Sequence, residues 1–313
     1  MQQNTMVWVN YILVVVVMIL WGLNVVALKV LVDYMEPATM QALRILTAAI
    51  VILLVMAVQK EWRRFAKREW KQIIITSFFG VILHHLFLAI GLTGTSAVNT
   101  SLLLALVPLT TSVLAMILLG DSVTKLRLIG VFSGLAGVIL IATAGADADV
   151  SRVTSGDIFV FLAMLAQAVS FIYIKKASST LHPRELTGFM FLLGSIGLFV
   201  ISFILEPGSI NQVFSVPGYV WWIFLGSAVL ATAVGHQIFN RSIQKVGAGE
   251  TAVFNNLVPF FGLLSSAYFL KETVYPSQLA GFILIVIGVL CGTGYVEYKW
   301  LASKHKKHRN LHH

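Results

Sequence analysis

The stretch that decides the fold is residues 97–140, which read AVNTSLLLALVPLTTSVLAMILLGDSVTKLRLIGVFSGLAGVIL. Residues 248–291 repeat its pattern at a constant offset of 151 positions. Three kinds of motif recur at the matched positions. They are a Leu-Val-Pro triplet (Leu106-Val107-Pro108 with Leu257-Val258-Pro259), an acid followed by a hydroxyl residue (Asp121-Ser122 with Glu272-Thr273), and two glycines (Gly130 and Gly137 with Gly281 and Gly288). A repeat in so apolar a chain indicates a transporter built from two related halves.

The composition is that of a membrane protein. The chain has 313 residues, of which 58% are hydrophobic and 11% are charged, whereas a soluble domain carries roughly 25% charged residues. Because no aqueous fold can hide so much apolar surface, we expect a polytopic membrane protein. The single cysteine, Cys291, permits no disulfide within the chain. The net charge of +9 is explained by the positions of the lysines and arginines relative to the membrane, and we expect no nucleic-acid partner.

Ten apolar runs are each long enough to cross a bilayer of about 30 Å. Their approximate bounds are 11–31, 38–58, 72–92, 97–119, 125–144, 156–175, 186–205, 218–240, 248–270 and 276–297. The linkers between them are short, and most carry a proline or glycine. The sequence therefore predicts an all-α integral membrane protein with ten transmembrane helices and no soluble domain.

The basic residues predict the orientation of these helices. If the 59–72 loop is cytoplasmic, 18 of the 22 lysines and arginines lie on the inner side, as the positive-inside rule requires. Both termini are then cytoplasmic, and the second half enters the membrane from the side opposite to the first. We expect two inverted five-helix repeats, residues 1–145 and 152–298, followed by a basic cytoplasmic tail at 299–313.

Several short motifs resemble those of a known family. The run Leu20-Trp21-Gly22-Leu23-Asn24 followed by Ala42-Leu43-Arg44 resembles the start of an EamA repeat, and the proline triplets, acids and glycines quoted above follow in the same order. EamA proteins belong to the drug/metabolite transporter superfamily. The resemblance covers nearly the whole chain, and it implies a ten-helix exporter of small metabolites, often amino acids, with a central cavity between the halves.

Arg44 is the strongest candidate for a substrate contact, since ionisable groups inside a bilayer are costly and usually functional. It lies about two turns into the second span. One interpretation is a cation that attracts a carboxylate-bearing substrate. The other is an arginine that extends outward and pairs with Asp33 or Glu36 at the outer end of the helix.

Two histidines occupy equivalent positions in the two halves. His85 lies in the third span and matches His236 in the eighth at the offset of 151. His84 points about 100° away from its neighbour on the helix, so His85 is the preferred candidate. Histidine titrates near physiological pH, and the pair is interpreted either as proton-sensitive cavity groups or as hydrogen bonds between helices. No His pair has the spacing of a metal site, and we expect no metal and no cofactor.

Other polar and aromatic side chains complete the set of candidate substrate contacts. Amides recognise ammonium and carboxylate groups, but they also join helices by hydrogen bonds. Aromatic rings can form an apolar cavity wall, or they can simply pack. The candidates are Trp21, Asn24, Asn99, Gln167, Tyr173 and Asn255.

Two prolines and a row of glycines predict how helices bend and pack. Pro108 and Pro259 interrupt backbone hydrogen bonding within the fourth and ninth spans, either as paired hinges for alternating access or as static bends. Glycines on the fifth span give it a small face for close packing. An internal contact is favoured there over a homodimer contact, and the oligomeric state is left as monomer or homodimer.

Features that the sequence lacks reduce the number of possible transport mechanisms. All 13 acidic residues lie in loops or at span ends, so coupling through a carboxylate in mid-membrane is disfavoured. Facilitated efflux, exchange and histidine-mediated proton coupling remain. No phosphate-binding glycine loop is present, which excludes ATP-driven pumping. No buried acid stands beside a histidine to support intramembrane catalysis.

These patterns together predict a secondary transporter in the cell membrane. We expect it to export small metabolites, most plausibly amino acids or related compounds, by alternating access. The alternatives are a flippase for a lipid or lipid carrier and, with less support, an intramembrane enzyme built on a Ser–His pair.

Overall fold

A computed structural model describes residues 2–119, 124–142, 153–177, 179–239, 254–255 and 257–292. Every regular element in this part of the chain is helical. The first half contains α1 (Gln2–Val32), α2 (Pro37–Val58), α3 (Lys67–Ser77, a π-helical segment Phe78–Leu83, then His84–Gly94), α4 (Ala97–Leu104 and Val107–Leu119) and α5 (Lys125–Ala142).

The second half has the same order of elements. It contains α6 (Ser155–Ala177), α7 (Pro183–Leu205), a connecting helix (Ser209–Gln212) with a 3-10 turn (Val213–Ser215), α8 (Gly218–Leu225 and a π-helical segment Gly226–Val234), α9 (Leu257–Phe269) and α10 (Pro276–Gly292). Helix α8 continues in α-helical form to Phe239.

Most of these helices can span a membrane. In the described ranges, seven are long and apolar enough to cross a bilayer, and α5, α9 and α10 contain shorter apolar stretches. The chain is therefore a multi-span, all-helical membrane protein. The count of ten spans and the cytoplasmic placement of the termini stay predictions. The tail at 299–313 and the linker at 143–152 lie outside the described residues.

The packing partners follow the repeat. Helix α2 packs against its equivalent α7, and α5 packs against its equivalent α10. Other contacts come in matched pairs: α1 meets α9 as α6 meets α4, and α1 meets α8 as α6 meets α3. This exchange of partners is the pattern that two halves related by a pseudo-two-fold axis produce.

Helices α2 and α7 run antiparallel. At one end, Nη1 of Arg184 lies 2.7 Å from a carboxylate oxygen of Glu61, which joins the start of α7 to the residues just after α2. At the other end, Glu206 follows α7 and accepts hydrogen bonds from the backbone amides of Ala38 and Thr39 at 2.7 and 2.8 Å. Because α2 and α7 are equivalent helices, their opposite directions agree with an inverted repeat.

Glycines let α5 and α10 approach closely. A Cβ atom on Gly137 would lie 2.5 Å from the carbonyl oxygen of Gly281, and one on Gly288 would lie 2.7 Å from that of Gly130. Gly137 and Gly288 are equivalent at the offset of 151 positions, and so are Gly130 and Gly281. The two contacts are therefore equivalent by the repeat. The glycine face of α5 therefore serves an internal helix pair.

The two repeat-related prolines sit near the start of a helical segment. Helix α4 is interrupted at residues 105–106, and Pro108 is the second residue of the segment Val107–Leu119. Pro259 is the third residue of α9. A proline in the first turn sacrifices no hydrogen bond that the segment itself would make. Their role as hinges stays a prediction.

Candidate functional site

Arg44 is buried at the centre of the interface between the halves. It lies seven residues after Pro37, about 10 Å along α2 at the helical rise of 1.5 Å per residue, and its exposure is 1%. Its guanidinium donates through Nε to Gln41 Oε1 at 2.9 Å and through Nη1 to Thr232 Oγ1 at 2.8 Å. Nη1 also reaches Ser227 Oγ at 3.4 Å, and Nη2 reaches His85 Nδ1 at 3.0 Å.

None of these four partners carries a negative charge. Asp33 and Glu36, the acids that an outward-pointing arginine would meet, are exposed to solvent. The interpretation of Arg44 as a residue that extends to the membrane surface is therefore wrong. A buried cation without a counter-ion is costly by several kcal/mol in typical proteins, on the order of the cost of breaking a buried ion pair. The site is thus electrostatically incomplete.

Gln41 has an unused donor beside Arg44. An arginine can only donate hydrogen bonds, so the atom facing Nε is the amide oxygen and the NH2 group points elsewhere. The side chain is fully buried, and its Nε2 has no hydrogen-bond partner among the described residues. Gln41 was not a candidate in the sequence, although it lies three residues before Arg44, on the same face of α2.

The hydroxyl groups that face Arg44 are oriented by their own acceptors. Thr232 Oγ1 donates to the carbonyl oxygen of Ser227 at 2.8 Å, and Ser227 Oγ donates to Asn24 Oδ1. Each oxygen therefore presents a lone pair to the guanidinium. This series of hydrogen bonds connects Asn24 of α1 to the site through Ser227. Asn24 was a candidate in the sequence, whereas Ser227 was not.

An aromatic group adjoins the polar cluster. Trp21 Nε1 donates to the carbonyl oxygen of Ala231 at 2.8 Å, and its ring lies 5.1 Å from that of His236 and 5.0 Å from that of Phe239. The ring of Phe191 lies 5.4 Å from His236 on the other side. Predicted candidates from α1 and α8 thus meet, and they form an apolar wall next to Arg44.

Both π-helical segments lie at this site. The segment Gly226–Val234 carries Ser227 and Thr232, and the segment Phe78–Leu83 ends directly before the two histidines of α3. Residues 78–83 match 229–234 at the repeat offset, so the two segments are equivalent. π-Bulges are frequent at functional sites because they turn side chains away from the regular helical register.

The other predicted contacts lie elsewhere. Asn99 donates to Asp157 Oδ1 at 3.4 Å and accepts from Gln278 Nε2 at 2.8 Å, near the starts of α4, α6 and α10. Tyr173 stacks on Phe79 with 6.3 Å between ring centroids. Gln167 is half-buried on α6, and Asn255 precedes α9 with a buried Oδ1 that has no partner in the described part of the chain. Their contact with substrate stays a prediction.

The fold and this site define a class: a multi-span membrane protein of two related halves with a buried polar centre between them. The EamA-like transporter family model matches residues 8–143 and again residues 154–293. The chain belongs to the EamA-like transporter family, and it is a membrane transporter.

Similar proteins support this assignment. The uncharacterized transporter YyaM of Bacillus subtilis is 26% identical over 86% of this chain and 88% of its own length. An uncharacterized transporter of Archaeoglobus fulgidus is 24% identical over 86% of this chain and 93% of its own. A WAT1-related chloroplastic protein of Arabidopsis thaliana is 24% identical over 86% of this chain and 66% of its own.

A solved structure has the same fold. One crystal structure aligns with 90% of this chain and 95% of its own, with a TM-score of 0.62 and 15% sequence identity. At this identity the likeness concerns the arrangement of helices alone.

Proposed function

We propose that this transporter exports small carboxylate-bearing metabolites, amino acids or their close relatives, across the plasma membrane by alternating access. The observation that carries the proposal is Arg44: a guanidinium with 1% exposure whose hydrogen-bond partners are all neutral. A substrate carboxylate would supply the missing negative charge. Arginine is suited to this role because its planar donors match both oxygens of a carboxylate.

Free donors are available for such a carboxylate. The guanidinium has five N–H groups, and its four contacts leave one without a partner among the described residues. The NH2 group of Gln41 adds two more. A carboxylate held between these donors would neutralise Arg44 and satisfy the buried amide at once. The same donors cannot serve a cationic substrate.

The aromatic wall favours an apolar part in the substrate. The rings of Trp21 and Phe191 contact that of His236, and the ring of Phe239 contacts that of Trp21. A substrate with its carboxylate at Arg44 would therefore place a neighbouring apolar side chain against these rings. Asn24 is near enough to the cluster to recognise an ammonium group through its amide oxygen.

Alternating access is proposed because the site is closed. Arg44 is shielded from solvent, so a substrate must enter and leave through other conformations. Antiparallel packing of α2 on α7 and of α5 on α10 gives the halves matched surfaces along which they can rock. Outward transport is the part of the proposal that the family resemblance supports.

The test is efflux from proteoliposomes loaded with labelled compounds. The panel contains amino acids, the primary amides of the same amino acids, and amines without a carboxylate. We expect release of carboxylate-bearing compounds with an apolar side chain and retention of the amides and amines. Equal release of the amides, or release of the amines alone, would contradict the proposal. Movement of a fluorescent phospholipid instead would favour a flippase.

A further inference from the structure

The hydrogen bond between Arg44 and His85 fixes the protonation state of the histidine. Nη2 of Arg44 lies 3.0 Å from Nδ1 of His85, and a guanidinium can only donate. Nδ1 must therefore be the acceptor and carry no hydrogen. In this closed state His85 is neutral, and its single ring proton is on Nε2.

The other two membrane histidines are bonded in the opposite sense. His84 Nδ1 lies 2.9 Å from the carbonyl oxygen of Ala163, and His236 Nδ1 lies 2.8 Å from that of Thr232. A carbonyl oxygen only accepts, so both of these Nδ1 atoms carry hydrogen and join helices or turns. Of the three, His85 alone presents a bare Nδ1 to the candidate substrate site.

We propose that His85 is a proton-binding site and that one proton crosses the membrane with each substrate carboxylate. This inference rests on the proposed function. When the carboxylate takes the Nη2 donor of Arg44, Nδ1 of His85 loses its hydrogen bond and gains an anion beside it. A proton from the water on the side of entry then forms an N–H bond at Nδ1. The carboxylate, with its charge of −1, then lies between two cations, the guanidinium of Arg44 and the imidazolium of His85.

Release reverses these steps. When the carboxylate leaves to the far side, the proton at Nδ1 faces Arg44 without an anion between the two cations. The N–H bond breaks, the proton goes to water on that side, and Nη2 of Arg44 donates to Nδ1 again. Substrate and proton thus favour each other's binding by the same factor, as linkage requires.

Among the described residues, the other two membrane histidines could take a proton at Nε2, but neither has a ring nitrogen bonded to Arg44. The groups that act on His85 are His84 on the same helix, Arg44 from α2 and His236 from α8. The described charged residues on other packed helices lie near helix ends, and on α6 they include Lys175 and Lys176, the latter over the ring of Tyr173. Lys29 of α1 donates to the carbonyl oxygens of Leu92 and Thr95, Asp157 of α6 accepts from Thr95, and Arg184 and Glu185 of α7 pair with Glu61 and Arg63.

The experiment is uptake into proteoliposomes under a membrane potential clamped with valinomycin and potassium. The labelled substrate is an amino acid that the wild-type protein releases in the efflux panel, and a pH-sensitive dye is trapped inside. With pH about 6 outside and about 8 inside, we expect the wild type to accumulate substrate above its outside concentration, up to about 100-fold for one proton. Adding substrate should also acidify the interior.

Two variants separate coupling from transport. His85→Gln keeps an oxygen that can accept from Arg44 but cannot titrate, so we expect it to equilibrate substrate without accumulation or acidification. His84→Gln keeps a donor for the carbonyl of Ala163, and it should accumulate substrate as the wild type does.

Accumulation by His85→Gln equal to that of the wild type would overturn the proton site. Wild-type transport without acidification would also overturn the proton site, and so would uptake driven by a more acidic interior. Each of these results would leave the proposed transport of carboxylates standing. If the wild type moves no carboxylate-bearing compound, the proposed function fails and the proton site fails with it.

Discussion

Nη2 of Arg44 donates to Nδ1 of His85 across 3.0 Å, and this contact joins α2 to α3 at the point where both face the second half of the protein. The arginine is shielded from water and meets neutral atoms only. Burying a cation without an anion costs free energy, and a substrate that supplies the anion would recover part of that cost as binding free energy.

Gln41→Glu should supply that anion from within the protein. The amide oxygen of Gln41 lies 2.9 Å from Nε of Arg44, so a glutamate there pairs with the guanidinium and removes the need for a substrate carboxylate. We expect a higher melting temperature in detergent and a loss of carboxylate efflux of about tenfold or more. Gln59→Glu, a change at an exposed glutamine after α2, is the matched control and should leave efflux unchanged. Wild-type efflux by Gln41→Glu would contradict the proposed role of Arg44.

A disulfide between α2 and α7 should stop transport. Thr39 Oγ1 lies 2.6 Å from Ser202 Oγ, so cysteine sulfur atoms at these two positions would lie close together, as a disulfide requires. In a background with Cys291→Ser, the double change Thr39→Cys with Ser202→Cys should lose efflux on oxidation and regain it with dithiothreitol. The two single-cysteine variants should be insensitive to oxidant. Unimpaired efflux by the fully cross-linked protein would show that these helix ends need not separate.

Gly137→Ala should weaken the α5–α10 pair. The new Cβ would lie 2.5 Å from the backbone carbonyl oxygen of Gly281, and backbone atoms of a packed helix cannot move aside without shifting the pair. We expect a loss of about 1–3 kcal/mol, seen as a lower melting temperature in detergent. Gly226→Ala meets no atom within 4 Å and should change stability little. Equal stability of the two variants would show that α5 and α10 are not closely packed.

Arg63 should stabilise the protein in a pH-dependent way. It lies between Glu69 and Glu185, at 2.8 Å from an oxygen of each, and these two hydrogen bonds raise the pKa of the guanidinium. The contribution that depends on Arg63 being charged is therefore lost only in strong base, and the loss in acid follows protonation of Glu69, whose pKa the hydrogen bond from Arg63 holds below its usual value.

We expect Arg63→Gln to lower the melting temperature by about 2 °C at neutral pH, since the arginine is partly exposed. The difference from the wild type should shrink only in acid below the usual range of a glutamate, because the hydrogen bond from Arg63 holds the pKa of Glu69 below its ordinary value. Arg68→Gln, a change at an exposed arginine on α3, should have no effect at either pH. A difference for Arg63→Gln that grows in acid would contradict this account.

Sequence patterns predicted the elements of this fold and part of its site. The glycines of the fifth span predicted a close contact, with an internal one favoured over a homodimer contact, and the structure pairs Gly130 and Gly137 with Gly288 and Gly281 across α5 and α10. Trp21, Asn24, Arg44, His85 and His236 were all candidates, and the structure places them in one cluster. Polar residues are so costly inside a membrane that their identity alone is informative.

The sequence could not predict which further side chains complete the cluster. Ser227 and Thr232 are two of many hydroxyl residues, and nothing in their spacing distinguishes them. They lie in a π-helical segment, and no proline marks it. Each π turn rotates the following residues relative to a regular helix, so a period of 3.6 residues misplaces the faces of α3 and α8.

The measurement that tests the central claim most directly is the efflux of one amino acid and its primary amide through the wild type and through Arg44→Gln. The two compounds differ only at the carboxyl group, which the amide replaces with a neutral group that has one acceptor oxygen and an NH2 donor. We predict that the wild type releases the amino acid at least tenfold faster than the amide and that Arg44→Gln releases both at the same slow rate. If Arg44→Gln, folded and inserted as the wild type is, still prefers the amino acid by the wild-type ratio, Arg44 does not bind the substrate carboxylate.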